Sequence, residues 1–468
     1  MFPPGNKKRK IQLIVLVLGI LMELMYLAFT LFNPQSGSVS LYMIIYFETF
    51  IVFFFSFYVV KKFLTKDEND KSVHAGISSF EDKLLKWFHV EEKNLDKLRF
   101  SLLIILFGVI FRITLIPAVP TTSPDSYTYV WDGKMTTSGY NTYLVTPDDP
   151  RLTSWRDETY QKMHFTNVVS VYPPLSQVVF AASYVVFGES VTGLKIIYLI
   201  CEIITMIFIL RLLSLKKMNL LFIILYAWLP LVILEIFVNA HLDIIGVMFF
   251  IIFFYYIEKG NYLKSSIFFS LSFLTKLYPI FILPLLIKKL GLKRLLNFVS
   301  VFILICAVFY IPFMTKEFTI FSALRTYLSR WEFNGSIYKI LYLAFNDSQP
   351  AHLWCGILFT ACVILISFRY KDFMKGAYGV SICYIAFTAT LYPWYLTWIS
   401  AINPFFGFYS VMSLLFTINF SNFTPLSPVW KEYSKVLIIE YVPFFFLLLY
   451  DLRKPLMQRF KFLERIIN

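Results

Sequence analysis

The stretch that decides the fold runs from Ser123 to Pro174 and reads SPDSYTYVWDGKMTTSGYNTYLVTPDDPRLTSWRDETYQKMHFTNVVSVYPP. This stretch is polar and contains several acids, while the sequence on both sides of it is strongly apolar. A chain that crosses a bilayer does not need about fifty polar residues to join two spans, so the length of this loop indicates a functional or locally folded segment. We therefore expect the chemistry of the protein to be centred here.

Composition decides the class of protein. The chain has 468 residues, of which 58% are hydrophobic and 15% are charged, and its mean hydropathy is +0.67. One soluble core cannot bury so much apolar sequence, which predicts an all-α, polytopic transmembrane protein. The net charge of +14 would suit nucleic acid, but the basic residues lie in short clusters between apolar runs, as the positive-inside rule predicts. We therefore expect membrane lipids as partners and no nucleic acid.

The first 99 residues predict two N-terminal transmembrane helices and a cytoplasmic amphipathic segment. Lys7 to Lys10 precede an apolar run from Ile11 to Phe32, and Leu41 to Val60 form a second run. In the polar segment that follows, four apolar residues recur at helical spacing: Ile77, Phe80, Leu84 and Phe88. This pattern fits a helix at the membrane interface, and it fits a solvated linker helix about equally well.

Residues 100–468 predict a second, larger transmembrane domain, with an outer loop at 121–171 and about twelve passes in the whole chain. The run from Tyr172 to Phe187 is barely long enough to cross. If it crossed, Lys216 and Lys217 would lie outside; if it lies at the interface, these and all later basic clusters lie inside. We prefer the second arrangement, which makes both termini cytoplasmic.

Several common catalytic motifs are absent from the sequence. It contains no Walker-type glycine loop, no GxGxxG after a strand, no HExxH and no CxxC. Nucleotide-driven, nicotinamide-dependent and zinc-dependent chemistry therefore have no support. The five cysteines lie in apolar runs without the spacing of metal ligands, and we expect no metal site in the chain.

Acids next to membrane remain as candidates. Asp125 directly follows an apolar span, where partial desolvation can raise the pKa of a carboxyl enough to make it a base near neutral pH. Asp132 comes seven residues later and would share a helical face with Asp125. A helix cap or a solvated charge is the alternative for either aspartate.

Polar residues inside apolar sequence are the next candidates. His241 and Asp243 lie in VNAHLDIIG, between two apolar runs. Ionisable groups at membrane depth usually face a cavity or a partner, although Asp243 would serve equally well as a helix cap. Lys276 and Tyr278 lie in LTKLYPIFILP, where the lysine would either neutralise a lipid phosphate or extend to the interface.

Arg325 and Arg330 supply cations in a later outer loop, from Thr315 to Pro350. Guanidinium groups suit phosphate or pyrophosphate, so these arginines are candidate ligands of a phosphate. A solvated loop surface is the alternative role for both residues.

The motifs together resemble a known superfamily. PDSYTYVWDGK, GYNTY, TPDDP, LTSWRDE and VYPPLSQVVF resemble the first outer loop of GT-C integral-membrane glycosyltransferases, and YAWLPLVILE, NAHLD and TLYPWYLTW extend the similarity. The sequence most resembles bacterial polyprenol-phosphate-mannose-dependent mannosyltransferases of the glycosyltransferase 87 type. TKLYPIFILPLL is more faintly similar to the catalytic subunit of the first GPI mannosyltransferase.

The resemblance implies roles for individual residues. Asp125 matches the loop acid that serves as general base, and Asp132 matches the second acid of the loop. His241 and Asp243 match the histidine and acid near the cavity, although Ala240 stands where glycine is more common. Lys276 and Tyr278 lie in TKLYPIFILPLL, and Trp394 and Tyr395 lie in TLYPWYLTW, so these four are substrate-binding candidates together with Arg325 and Arg330 of the later outer loop.

The resemblance also implies the reaction and its partners. A sugar, expected to be mannose, would pass from a polyprenyl-phosphate donor to a glycan or glycolipid acceptor. Transfer would take place at the outer face of the inner or plasma membrane, with inversion and with juxtamembrane helices in the first core loop. No cofactor is required by this scheme, and a divalent cation is compatible with it.

Two other functions fit parts of the sequence. A transporter or flippase for lipid-linked saccharides would use the same charged groups only for binding, but the long early loop and the lack of paired repeats disfavour it. An oligosaccharide polymerase or ligase usually carries its long loop late in the chain. In this sequence the longest outer loop comes early.

Overall fold

The computed structural model describes residues 4–33, 38–64, 78–314, 319–424 and 432–467. Side chains are described for these residues except 4–10, 62–64, 319 and 454–467. Within the described ranges the fold is helical, and the extended pairing is limited to isolated bridges of Phe333 and Asn334 with Thr390. Ile77, one residue of the predicted amphipathic pattern, lies outside the described residues.

Four helices precede the outer loop: α1 (Pro4–Phe32), α2 (Val39–Leu64), α3 (Ser79–Phe88) and α4 (Leu95–Leu115). The short helix α3 begins with a capping box, in which Ser78 and Glu81 satisfy each other's backbone N–H groups. Leu85 and Phe88 are its buried residues, while Phe80 is 68% exposed. The predicted apolar face is therefore split between the helical bundle and the surroundings.

The loop at 121–171 contains α5 (Asp125–Thr137) and α6 (Glu158–Lys162), and α7 (Pro174–Phe187) follows it. Tyr129 of α5 stacks on Phe180 of α7 with ring centroids 4.8 Å apart. Gly133 lies so close to Phe180 that an added Cβ would stand 2.3 Å from its carbonyl oxygen, so no larger residue fits. Lys134 pairs with Asp157 and, at 2.7 Å, with Glu189. The loop is thus a packed unit.

Seven helices form the next part of the bundle: α8 (Val191–Leu215), α9 (Ile224–Ala227), α10 (Pro230–Phe237), α11 (Asp243–Glu258), α12 (Tyr262–Phe273), α13 (Leu286–Leu290) and α14 (Leu292–Tyr310). All eight residues of α10 are buried, which makes it the centre of the bundle. Nearby, the fully buried Arg112 of α4 pairs with Glu202 of α8 at 3.1 Å. A buried charge pair tolerates loss of one partner poorly, so this pair fixes α4 against α8.

The remaining helices are α15 (Ser322–Arg330), α16 (Ser336–Phe345), α17 (Ser348–Arg369), α18 (Phe373–Phe387), α19 (Thr397–Ile402), α20 (Tyr409–Thr417) and α21 (Ser434–Ile467). Short 3-10 turns join several of them, among them Pro393–Leu396, which leads directly into α19. Pro393 occupies the first position of that turn, where its missing N–H costs nothing. This Trp- and Pro-rich region returns the chain to the centre of the molecule.

Among the described residues, six helices are long and apolar enough to cross a membrane. They are Ile11–Phe32, Val39–Lys61, Glu92–Leu115, Val191–Leu215, Leu292–Phe313 and Ser348–Arg369. A seventh span results if Leu220–Ala227 and Pro230–Phe237, bent by 47°, count as one. These helices fit an integral membrane protein, as predicted, and the total of about twelve passes stays a prediction.

Candidate active site

Asp125 is the first residue of α5, and the segment that leads to it is held by hydrogen bonds. The backbone N–H groups of Thr121 and Thr122 donate to Asn239 Oδ1 at 3.1 and 3.0 Å. The N–H of Asp125 donates to Ser123 Oγ at 3.3 Å. Asp125 itself is half-buried, so its backbone is held by this segment while its side chain retains access to a ligand.

Burial raises the pKa of Asp125 above its ordinary value. A hydrogen bond with Ser123 and the charge of Lys276 lower this pKa, and the charge of Asp243 raises it, but burial has the largest effect. Because the charges of Lys276 and Asp243 both shift this pKa, both residues lie within electrostatic range of Asp125. The structure thus brings together three of the residues predicted for the site.

Asp132 lies on the same helix but has a separate environment. Its Oδ2 accepts hydrogen bonds from Ser170 Oγ at 2.7 Å and from Gln177 Nε2 at 2.9 Å. Burial raises the pKa of Asp132 to about 6, although both hydrogen bonds lower it. The predicted helix through both aspartates is present, and Asp132 connects α5 to α7 and to the segment before it.

The turn between α10 and α11 carries His241 and has an unusual backbone. Ala240 has a φ of 58°, in the left-handed region that glycine adopts more easily. An alanine in this conformation is strained, and glycine would adopt it without that cost. His241 is fully buried, with Nε2 3.6 Å from Glu235 Oε2, and its backbone N–H donates to the Glu235 carbonyl at 3.2 Å.

Asp243 binds side chains from two other parts of the chain. Its Oδ1 accepts a hydrogen bond from Lys276 Nζ at 2.6 Å and one from Trp398 Nε1 at 2.9 Å. Asp243 begins α11 but makes no capping hydrogen bond, and Leu242 occupies the cap position. The Asp243 side chain therefore does not cap α11, and it joins Lys276 and Trp398 instead.

Aromatic rings line the space beside this charge pair. The His241 ring stacks on Trp394 with centroids 3.7 Å apart, and Trp394 stacks on Tyr392 at 4.4 Å. Lys276 Nζ lies 4.2 Å from the centroid of the Tyr395 ring. Because Lys276 is still 25% exposed, it can meet an anion while Asp243 and Tyr395 hold it in place. Trp394 and Tyr395 thus adjoin His241 and Lys276.

Three predicted residues lie farther from this group. Tyr278 donates to Ser381 Oγ at 2.5 Å and packs on Trp398 with centroids 5.0 Å apart, so it supports the tryptophan that binds Asp243. Arg325 and Arg330 lie on α15 with exposed side chains. The described contacts do not bring either arginine to Asp125 or Lys276.

Reasoning from the sequence missed other residues around the site. Trp398 is the last residue of TLYPWYLTW, so the motif contained the signal for it. The Tyr327 hydroxyl forms a short hydrogen bond with that of Tyr395, and His164 lies within electrostatic range of Asp125. Tyr327 and His164 carry no distinguishing pattern in the sequence. Only the tertiary fold brings them to the site.

Metal binding was also considered for the described residues. Within them, no group of three or more His, Cys, Asp or Glu side chains is arranged to hold a metal ion. The expectation that transfer needs no cofactor has not been tested and stays a prediction.

The chain was compared with known proteins. Residues 84–290 match the model of the MptA_B family, described as alpha-(1->6)-mannopyranosyltransferase, N-terminal domain. The matched segment contains Asp125, His241, Asp243 and Lys276. Comparison with curated proteins and with solved structures gave no match. The family match confirms the resemblance to GT-C mannosyltransferases and supports mannosyl transfer as the activity of this chain.

Proposed function

We propose that this chain transfers mannose from a polyprenyl-phosphate donor to a glycan or glycolipid acceptor, with inversion and with Asp125 as the general base. The observation that carries the proposal is the grouping of Asp125 with the Lys276–Asp243 pair inside the segment that matches a mannosyltransferase family. A base and a cation in one cavity are the two groups that such a transfer needs.

The base has to accept the proton of the acceptor hydroxyl. A carboxylate with an ordinary pKa near 4 is a weak base at neutral pH, whereas burial raises the pKa of Asp125 and makes it more basic. Its backbone position at the start of α5 is held by the hydrogen bonds of the preceding segment. Both features suit a general base.

The cation has to stabilise the departing phosphate. In a single displacement, the acceptor oxygen forms a bond to the anomeric carbon while the bond from that carbon to the phosphate oxygen breaks. The acceptor proton passes to Asp125, and the donor leaves as polyprenyl phosphate. Lys276 is the cation nearest to this chemistry, and Asp243 and Tyr395 restrict its movement. The exposed Arg325 and Arg330 stay candidates for a later contact with phosphate.

An open apolar groove supports a lipid-linked donor. It has a volume of about 350 Å³ and is lined by Phe273, Ile280, Phe302, Ile303, Cys306, Ala307, Tyr310 and Phe321. Phe273 and Ile280 lie three residues before and four residues after Lys276 in the sequence, so the same stretch of chain contributes to the groove and to the charged pair. Phe298 is the buried residue of α14, and most of the helix faces outward. We propose that the polyprenyl tail lies in this groove and its phosphate at Lys276.

The active site is proposed to lie on the outer face of the inner or plasma membrane. The positive-inside rule places the basic clusters on the opposite side from the loop that carries Asp125. The turn that follows α14 contacts that loop, because Asn141 Nδ2 donates to the Phe313 carbonyl at 2.9 Å. This contact joins the loop to the helix that contributes Phe302, Ile303, Cys306, Ala307 and Tyr310 to the groove.

The test is sugar transfer by purified protein that is offered a panel of polyprenyl-phosphate sugars and a mannan acceptor. We expect transfer from polyprenyl-phosphate mannose, an inverted anomeric centre in the product, and no transfer from a nucleotide sugar. Ala307→Trp, which would fill the groove, should raise the KM for a long-chain donor more than for a short-chain donor. Lipid transport without any transfer would refute the proposal in favour of a flippase.

A further inference from the structure

The segment that carries Asp125 is attached to the N-terminal helices, which lie outside the matched family segment. Asn33, at the end of α1, donates from Nδ2 to the Val119 carbonyl at 3.2 Å and to Thr121 Oγ1 at 3.3 Å. Asn33 is buried, and Val119 and Thr121 lie six and four residues before Asp125. One end of the hairpin α1–α2 thus contacts the chain directly before the proposed base.

A second connection runs through the centre of the bundle. The hydroxyl of Tyr42, on α2, donates to Glu235 Oε1 at 2.7 Å. Glu235 Oε2 accepts from Asn239 Nδ2 at 3.1 Å, and Asn239 Oδ1 accepts the two backbone N–H groups of Thr121 and Thr122. Tyr42, Glu235 and Asn239 are all fully buried. A hydrogen-bonded chain therefore links α2 to the segment before Asp125.

This arrangement fixes the orientation of the asparagine. Asn239 presents Oδ1 to the two backbone N–H groups while its Nδ2 donates to Glu235 Oε2 at 3.1 Å and to the Tyr42 hydroxyl at 3.5 Å. The hydroxyl of Tyr42 in turn donates a hydrogen bond to the second carboxylate oxygen of Glu235. Loss of this hydrogen bond is costly because the oxygen is buried. We therefore expect that loss of the Tyr42 hydroxyl also weakens the hydrogen bonds that join Glu235, Asn239 and the backbone of Thr121 and Thr122.

We propose that Tyr42 and Asn33 of the N-terminal hairpin are positioning residues for the transfer reaction, because they hold residues 119–125 and so place the Asp125 carboxylate. This inference rests on the proposed role of Asp125 as the base. It gives the hairpin a part in the reaction beyond membrane anchoring. Neither residue touches the substrate in this account, since each acts through the segment that it holds.

The chain offers matched controls for both residues. Tyr46 lies one turn after Tyr42 on the same helix, is equally buried, and donates its hydroxyl to the Leu415 carbonyl, away from the loop. Thr30 lies one turn before Asn33 and donates to the Thr114 carbonyl of α4 at 2.9 Å. Tyr46→Phe and Thr30→Val each remove one hydrogen bond of the hairpin but leave residues 119–125 held.

The experiment measures kcat and the donor KM for Tyr42→Phe and Asn33→Ala beside these two controls, in purified full-length protein. Misplacing a catalytic group by about 1 Å can cost up to about a hundredfold in rate, so we expect kcat to fall about tenfold or more. The donor KM should change little. Both control variants should keep near wild-type kcat. If Tyr42→Phe gives no folded protein, Asn33→Ala decides the question.

A double mutant separates positioning from general loss of structure. If Tyr42 acts through the Asp125 carboxylate, adding Tyr42→Phe to Asp125→Asn should change the residual rate by less than about twofold, whereas independent effects would multiply. An equal fall in both backgrounds, or equal effects of Tyr42→Phe and Tyr46→Phe, would overturn the inference. A wild-type rate for Asp125→Asn would instead refute the base assignment itself.

Discussion

Two aspartates on one helix have different surroundings and therefore different expected roles. Asp125 lies at the start of α5, half-buried and within range of the Lys276–Asp243 pair. Asp132 lies two turns later, buried and bound by Ser170 and Gln177. Residue type and spacing alone do not distinguish the two. Their surroundings do, because the charge of Lys276 acts on Asp125, which is half-buried, whereas Asp132 is buried and bound by two neutral side chains.

Asp132 gives a prediction about stability. Its pKa in the folded protein is about 6, above the ordinary value of 3.8, so the unfolded state loses this proton at lower pH. Stability is therefore lost as pH rises from about 4 through about 6, by on the order of 2–3 kcal/mol. Asp132→Asn keeps an oxygen that accepts hydrogen bonds from Ser170 and Gln177. Because asparagine does not titrate, the variant should not lose this stability as pH rises. In detergent, the melting temperature of the variant minus that of the wild type should increase from pH 4 to about pH 6 and stay constant from there to pH 8. A difference independent of pH would contradict this assignment.

Asp243 and His241 give a prediction about activity. Asp243 holds Lys276 and Trp398, and His241 stacks on Trp394, so replacing either residue with alanine disturbs the cavity. We expect transfer to fall at least about a hundredfold, while the amount of protein in the membrane stays normal. Glu258→Ala is the control, since Glu258 pairs with Lys216 and Lys289 at the other end of α11. A loss of protein in proportion to the loss of activity would favour a structural role.

At the scale of elements, α7 determines how the rest of the chain is oriented. It has 14 residues and, at 1.5 Å per residue, a length of about 21 Å, which is short of the roughly 30 Å hydrocarbon core. It packs on α5 through Phe180 and Tyr129. Both observations support the interpretation that this run lies at the interface and that the later basic clusters lie inside.

Labelling of introduced cysteines tests this orientation. Lys217→Cys, at the exposed end of α8, should be protected from an impermeant thiol reagent in intact cells and should react after lysis. Asn167→Cys, exposed in the outer loop, is the control and should react before lysis. A Lys217→Cys protein that reacts with the impermeant reagent in intact cells would contradict the predicted orientation. In that case α7 would have to cross the membrane.

The sequence predicted the apolar helices and the helix through Asp125 because these follow from local composition and spacing. It also predicted Asp243 as a site candidate, since a charge at the edge of an apolar run is unusual. It could not predict the pairing of Asp243 with Lys276 and Trp398, which lie 33 and 155 residues away along the chain. The connection from Tyr42 to residues 119–125 was likewise hidden, because a tyrosine in a span usually indicates only packing.

At the scale of the whole molecule, the charged residues and the apolar groove share one stretch of chain. Lys276, which lies within electrostatic range of Asp125, comes three residues after Phe273 and four before Ile280, and both of these line the groove. We propose that this arrangement suits a substrate with a charged head and a long apolar tail. The family match separately supports mannosyl transfer as the activity of this chain.

The most direct test of the account is turnover by Asp125→Asn with polyprenyl-phosphate mannose as donor. Asparagine keeps the size of the side chain but removes the basic oxygen, so donor binding should survive while kcat falls about a hundredfold to ten-thousandfold. Asp132→Asn should lower kcat less, and Asp148→Asn, an exposed acid of the same loop, should leave it unchanged. In the wild type, kcat should fall as acid protonates Asp125. An Asp125→Asn protein that turns over at the wild-type rate would contradict the central claim.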